Sequence, residues 1–513
     1  MVIEAYAGSG KTSTLRMLAN ADRRKRVLFL AYNRAAKDDA KASFPINTRC
    51  YTTHGLAYQP MIDMACRIGK GGKYVPGIQL AKMMKINGPA RLTSDRVLAP
   101  GQLAAVVKNM IKRFCYSADS QVTGWHVPRD MKWLTDPEEL KALQRIVPPI
   151  AQRVWDQDIT QPDGIIPMDF DYFLKAYALT DPELPGDVIL LDEAQDSNAC
   201  TADLVRKQAT KYGKQVVMVG DTYQQLYAWR LAINAMSGFA EMDGVTVLNL
   251  SKSFRFGQGI ADEANKWLTH VLGARLPLSG NEKIQSRIGQ CSGVSPDAIL
   301  CRTNAEALRR AIEALGQGLK VAFPKGTGEL IALVKGAADI KRGRPSEHPD
   351  LMGFATWGQV QDFAENEPGG EDLQLFVRLV DQYGVDELFA ILSEIGNEEK
   401  GSPADVVIST AHGAKGREWR QVEIAEDFQR PKEDPEAPVG KLPEIPADLA
   451  RLAYVAVTRG QFVVNRGSLA FVDEYLPSAV PALENEPEPE PTVEEPADLG
   501  SPAVARAMSL AQI

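Results

Sequence analysis

The 513-residue chain has little sulfur chemistry: its six cysteines, at 50, 66, 115, 200, 291 and 301, contain no C-x-x-C pair and no regular framework. That excludes a disulfide-stapled scaffold, argues against structural zinc, and implies a reducing compartment, so a cytoplasmic location is expected. No apolar run approaches the ~20 residues that span a bilayer, and no charged start leads into an apolar core, so neither a membrane protein nor a signal peptide is read. Nor is there a surplus of positive charge, since the formal net charge is -8. The distribution qualifies that figure: residues 481–500 carry seven acids and no base, whereas residues 61–165 carry 15 Lys plus Arg against 10 Asp plus Glu. Charge by segment is the informative quantity.

What is present is an ordinary globular composition, 44% hydrophobic and 24% charged, with length for roughly three or four domains of about 150 residues. Near the start, Ala5-Tyr6-Ala7-Gly8-Ser9-Gly10-Lys11-Thr12 reads as a phosphate-binding loop. Glycines 8 and 10 let backbone N–H groups converge, Lys11 brings a charge to the outer phosphates, the Thr12 hydroxyl suits magnesium, and a helix from Ser13 places the site at a helix N-terminus. The full spacing would have glycine at Ala5.

Strands are expected at Arg26–Tyr32, Asp187–Leu191, Gln215–Val219 and Val245–Leu250, separated by helices. This is the rhythm of a parallel doubly wound sheet with ligands at the carboxyl ends of its strands. A second α/β unit begins near Gly257, with strands at Ala298–Cys301, Val406–Ser409 and Val422–Ala425 and a helix from about Ala447. The expected organisation is α/β, two such domains each with a mainly helical insertion. The first comprises 1–60 plus 165–256 around a basic insertion at 61–164, and the second 257–325 plus 401–476 around a short insertion at 326–400. An acidic Pro/Glu tail at 477–513 is read as disordered. Its last residues, Ala503–Ile513, are open between a partner-binding helix and a frayed end. Within 61–165, Phe114, Tyr116, Trp125, Trp133 and Trp155 admit two readings: rings that stack on bases in a single-strand groove, or core aromatics beneath a solvated basic surface. Arg342-Gly343-Arg344-Pro345 reads either as a minor-groove hook or as a basic turn.

Hydrolysis of a nucleoside triphosphate needs a phosphate cradle, a metal, a base for water and positive charge for the transferred group. Asp192 ends an apolar strand and suits magnesium, with Thr12, and adjacent Glu193 suits the water-activating base. Arg255 and Arg459 are candidates for the stabilising guanidinium. An acidic pair that merely caps the next helix is the plain alternative.

Eight segments then stand in one order: AYAGSGKTSTL (5–15), YNRAAK (32–37), TTHGLAY (52–58), LLDEAQD (190–196), VGDTYQQLYAWR (219–230), SFRFG (253–257), TAHGAKGREW (410–419) and AYVAVTRG (453–460). In these the chain resembles the superfamily 1 DNA helicases of the UvrD/Rep family, most closely the helicase core of the F-box DNA helicases. The resemblance implies two RecA-like domains with ATP and Mg2+ between them, and 3'-to-5' translocation on single-stranded DNA. It places Ala7, Gly8, Ser9, Gly10, Lys11, Thr12 and Ser13 around the phosphates, Phe254 on adenine, Glu418 on the nucleotide and Gln224 as the link from γ-phosphate to DNA. It implies DNA contacts at Tyr32, Asn33, His54, Tyr227, Trp229, Arg230, His412 and Lys415. The implied partners are single-stranded DNA and single/double-strand junctions, no membrane is expected, and the C-terminal tail is a candidate protein-binding segment. Two alternatives stay open: an ATPase that remodels protein–DNA complexes with little unwinding, and a DNA-binding protein defective in ATP hydrolysis. Arg417 stands where the family has leucine. The family also has an adenine-reading segment ahead of the loop, and the feeding strand is only Met1–Glu4, so either the true start lies upstream or another segment covers that edge.

Overall fold

The structure is a computed structural model that describes residues 1–476 except 69–74, 95, 130, 132, 133, 135, 227–234, 294, 347, 349, 352, 353, 367–369 and 433–441. Two parallel sheets organise Met1–Glu474, giving the α/β architecture of two RecA-like domains. The first sheet has six strands in the spatial order Thr48–Thr52, Val27–Ala31, Val188–Leu191, Gln215–Gly220, Val2–Ala5, Val247–Leu250. All five residues of Val27–Ala31 are buried, because helices cover both faces. Alternation then divides the strand: Leu28 and Leu30 pack with Met110, Ile111 and Phe114, while Phe29 and Ala31 pack with Leu15 and Ala19 of the helix Lys11–Ala21.

The strand that feeds the phosphate loop is four residues, Val2–Ala5, and it is paired on both sides. Val2 stands opposite Met218 on one flank and Val247 on the other, so Val247–Leu250 covers the edge that the sequence left open. A short strand is stable here because it is paired along both flanks, and the Met1 ammonium adds a hydrogen bond to the Val216 carbonyl at 2.9 Å.

The basic segment after residue 61 folds around the helices Pro100–Tyr116 and Pro137–Val154, with a small antiparallel pair, Ala90–Arg91 and Val97–Leu98. Its core is continuous with one face of the first sheet. Phe114, Tyr116 and Trp155 are buried in it, which resolves them as core. Trp125 is instead 74% exposed, with the Arg129 guanidinium 4.9 Å from its ring centroid, and Trp133 lies outside the described residues.

The second sheet has seven strands, in the order Gly396–Asn397, Val321–Phe323, Val406–Thr410, Ala298–Cys301, Trp419–Ile424, Gly460–Asn465, Arg287–Ile288. Between Val321–Phe323 and Gly396–Asn397 come four helices, Gly328–Lys341, Trp357–Asn366, Glu371–Tyr383 and Val385–Glu394, which share a core with Ile299 and Ile408 of the sheet. Arg342-Gly343-Arg344 closes the first of these. Gly343 adopts φ 70°, and the Arg344 N–H donates to the Asp339 carbonyl at 2.8 Å, the geometry of a basic turn ending a helix. Among the described residues no helix is long and apolar enough to cross a membrane. The tail at 477–513, including Ala503–Ile513, lies outside the described residues.

Candidate nucleotide site and nucleic-acid interface

The loop between Val2–Ala5 and Lys11–Ala21 turns through left-handed backbone at Gly8 and Gly10, φ 70° and 83°. Gly8 is also a matter of space: a Cβ there would lie 2.5 Å from Ser253 Oγ and 2.7 Å from Arg255 Cβ. The Phe254 N–H donates to the Gly8 carbonyl at 2.8 Å, so the Ser253-Phe254-Arg255 turn is seated directly on the loop. Phe254 itself is 63% exposed, with its ring beside Gly10. Ser9 Oγ closes the loop on the Tyr6 carbonyl at 2.7 Å, and Ala7 and Ser13 flank the turn into the helix. Ala5, where the consensus has glycine, is the buried last residue of a paired strand and carries no positive φ. Alanine therefore fits it. Lys11 Nζ reaches back to the Ala5 carbonyl at 3.4 Å.

Asp192 follows the buried strand Val188–Leu191, and its Oδ2 accepts from Thr12 Oγ1 at 2.7 Å across 180 residues of chain. Glu193 holds φ 50°, a left-handed conformation that costs a non-glycine residue on the order of 1 kcal/mol or more. Gln195 Nε2 donates to Glu193 Oε2 at 2.6 Å, and Gln195 Oε1 accepts from the Asp221 N–H at 3.1 Å. Burial, then the neighbouring Glu193 charge, pushes the Asp192 carboxyl up. Burial also opposes Glu193 ionisation, but Lys11, Lys415 and the Gln195 hydrogen bond outweigh it, so its pKa lies below the ordinary range. This asymmetry keeps Glu193 anionic.

The second sheet contributes two further cations, Arg459 and Lys415, and Arg255 reaches across to it from the first. Arg459 follows the helix Ala447–Val457 and is 1% exposed. Its Nε donates to the Val455 carbonyl at 2.9 Å, Nη1 to the Arg417 carbonyl at 3.3 Å, and Nη2 to Gln224 Oε1 at 3.3 Å. Burial, then the Arg255 charge, lowers its pKa to about 9, which leaves it a cation at neutral pH. Arg255 Nη1 donates to the Thr458 carbonyl at 3.0 Å, and its Nε pairs with Glu418. Gln224 sits between the sheets: its Nε2 donates to Asp221 Oδ2 at 2.7 Å while its Oε1 accepts from Arg459. Lys415, expected on DNA, places its ammonium on Asp196 Oδ1 and the Gln224 carbonyl, each at 2.6 Å.

Sequence reasoning gave no role to Tyr454, Asp221 or Gln195. Tyr454 is fully buried; its hydroxyl accepts from the Ala7 N–H and donates to Asp221 Oδ2, both at 3.1 Å. Its place inside AYVAVTRG was the available signal, but only the tertiary structure reveals its partners.

The remaining expected DNA contacts stand elsewhere. Tyr32 is 42% exposed at the end of Val27–Ala31, and Asn33 caps the helix Arg34–Ser43, its Oδ1 accepting from the Ala36 N–H at 2.9 Å. His54 Nε2 and Asp171 Oδ1 are 3.0 Å apart. His54 also lines a groove of about 830 Å³ along the edge strand Thr48–Thr52, with Arg34, Lys37, Lys41, Arg49 and Tyr58. His412 is half-buried, and burial with the Lys415 charge lowers its pKa. Tyr227, Trp229 and Arg230 lie outside the described residues.

Residues 1–230 match the family model described as AAA domain. F-box DNA helicase protein 1 of Schizosaccharomyces pombe is 28% identical over 506 residues, covering 90% of this chain and 54% of that protein. F-box DNA helicase 1 of Gallus gallus is 27% identical over 504 residues, covering 90% of this chain and 46% of that protein. The chain thus spans about half the length of the curated relatives it matches. The chain is thus similar, over 90% of its length, to two proteins named as F-box DNA helicases, and the motif order and the paired parallel sheets agree with that likeness.

Proposed function

We propose that the protein is an ATP-dependent DNA helicase that moves 3'-to-5' along single-stranded DNA and uses hydrolysis of ATP to ADP and phosphate to unwind duplex or displace bound protein. The observation that carries this reading is Gln224, whose amide joins Asp221 of the first sheet to Arg459 of the second within hydrogen-bond distance of both. A side chain so placed links the phosphate site to the relative position of the two sheets.

Supporting the chemistry, Lys11 and the N–H groups of Gly8 and of Gly10 to Ser13, at the start of the helix Lys11–Ala21, suit the β- and γ-phosphates of ATP, while the Ala7 and Ser9 N–H groups hold the loop in shape on the Tyr454 hydroxyl and the Tyr6 carbonyl. Thr12 Oγ1 and Asp192 Oδ2, 2.7 Å apart, offer two hard oxygen ligands that fit Mg2+, which when bound would neutralise charge on the phosphate oxygens. Glu193 accepts the proton of the attacking water as the new P–O bond forms and the bond to the β-phosphate oxygen breaks. Arg459 and Arg255 stabilise the charge on the transferred group, while Phe254 and Glu418 border the nucleoside. For the domains, 1–60 with 165–256 and 257–325 with 401–476 are assigned as the two moving bodies.

The basic, ring-lined groove at Arg34, Lys37, Lys41, Arg49, His54 and Tyr58 suits the phosphates and bases of a single strand, and both relatives carry DNA helicase in their names. Steady-state ATP hydrolysis with and without single-stranded DNA tests the proposal. Stimulation by DNA is expected, with losses of at least about 100-fold in Lys11→Ala and Glu193→Gln. Absence of stimulation, or full activity in Lys11→Ala, sinks it. Duplexes with a 3' or a 5' tail then read the polarity.

A further inference from the structure

Arg417 departs from the family pattern, and its surroundings give that departure a use. Its guanidinium forks onto two carboxylates, Nη1 to Glu398 Oε2 and Nη2 to Glu399 Oε1, each at 2.6 Å. Trp419 Nε1 donates to the second oxygen of Glu398, Oε1, at 3.4 Å. Charge-assisted bonds to two separate acceptors fix the plane of a guanidinium as well as its position. The carboxylates are themselves fixed by backbone: Asn397 Oδ1 accepts from the Lys400 N–H at 3.1 Å, and the Glu399 N–H donates to the Pro324 carbonyl at 3.1 Å. They stand on the turn Glu398–Lys400, which follows the helices of the second insertion by a few residues.

The backbone of Arg417 has a different partner. Gly416, at φ 82°, reverses the chain, and the Arg417 carbonyl accepts from Arg459 Nη1 at 3.3 Å. Two residues on, the Trp419 N–H donates to the Arg459 carbonyl at 3.0 Å. The 417–419 segment therefore grips Arg459 at both its side chain and its backbone, and Arg459 in turn meets Gln224.

We infer that Arg417 is a positioning residue: its fork on Glu398 and Glu399 ties the exit of the second insertion to the guanidinium of Arg459, so that the insertion's position sets how Arg459 meets Gln224 and the phosphate site. The inference rests on the ATPase reading for its kinetic consequence and on geometry alone for its structural one.

The test uses the full chain and four variants: Arg417→Leu, which installs the family's residue, Arg417→Lys, Glu398→Gln with Glu399→Gln, and that pair combined with Arg417→Leu. Glu398 and Glu399 are 30% and 52% exposed at their side chains, so water solvates them when the fork is gone and the variants fold. With saturating single-stranded DNA, kcat for ATP falls about tenfold in Arg417→Leu at unchanged KM, because Arg459 acts on the transition state and not on ground-state binding. The double glutamine variant gives the same loss, the combination loses no more than either, and Arg417→Lys recovers part of it. A kcat within about twofold of native in Arg417→Leu, or losses that multiply in the combination, overturns the inference. A native protein without ATPase activity would sink the helicase reading instead, and the nucleotide-free crystal structure of Arg417→Leu still decides this one. Arg459 displaced from Gln224 is the expected result; Arg459 in its native place refutes it.

Discussion

The two sheets present opposite charges to one another. From the first come the buried carboxylates Asp192, Asp196 and Asp221 and the partly buried Glu193, against the single cation Lys11; from the second come Lys415 and Arg459, both nearly inaccessible. Neither half is electrostatically complete. An unpaired buried charge costs several kcal/mol, so each half is stabilised by what the other brings, and any change that parts them must supply compensating charge. A triphosphate with its metal is a compensating charge of that kind.

The comparison is broken most severely at Lys415. Asp196 is wholly inaccessible at its side chain, with Lys415 Nζ within 2.6 Å, and burial already lifts its pKa to about 6 against the pull of Lys415. Lys415→Ala strands this carboxylate and is expected to destabilise the protein by about 3–5 kcal/mol at pH 8, measured by urea unfolding. Beside Lys415 the Asp196 pKa is about 6, and without that cation it lies higher still, so the variant's native state takes up the proton first and the cost should shrink as pH falls from 8 towards about 6. A pH-independent cost would contradict the pairing.

A milder break removes one hydroxyl. Tyr454→Phe deprives Asp221 of a donor and the Ala7 N–H of its acceptor, for an expected loss of about 2 kcal/mol in the same assay. Unchanged stability would show that Tyr454 does not join the loop to the second sheet.

The smallest effect sharpens the picture on the first sheet alone. Glu4 accepts from the Thr222 N–H at 2.7 Å and from its hydroxyl at 2.6 Å, yet burial, then Asp221, raises its pKa from 4.5 to about 7. An acid with a raised native pKa contributes stability that is fully present below about 4.5 and lost as pH rises through about 7. Glu4→Gln should therefore gain on the native protein by on the order of 1 kcal/mol between pH 5 and pH 8, followed by thermal unfolding across that range. A constant difference would place Glu4 in water.

Much of this is legible in the residues alone. Glycines at 8 and 10, a lysine and a threonine after them, and an acidic pair after four apolar residues are local patterns, and local patterns survive in a linear text. Strands such as Ala298–Cys301 were readable because burial on both faces makes an unbroken apolar run. The three-residue strand Val321–Phe323 and the two-residue Gly396–Asn397 were not, since neither is long enough to show a period. Phe114, Tyr116 and Trp155 could not be told from stacking residues, because a ring in a basic segment has the same composition whether it faces a core or a groove. Arg417 stood out in the sequence only as an arginine where the resemblance implies leucine; the structure shows its charge answered by Glu398 and Glu399, some eighteen residues earlier.

The sequence by itself determined the phosphate loop, the acidic pair, the order of the motifs and the parallel α/β class, because each depends on residues adjacent along the chain. Only the tertiary structure decided which charges meet. Asp192 with Thr12, Asp196 with Lys415, Asp221 with Tyr454 and Gln224 with Arg459 lie 180 to 235 residues apart. Pairings of that range are set by strand order and sheet contact, which no local pattern encodes.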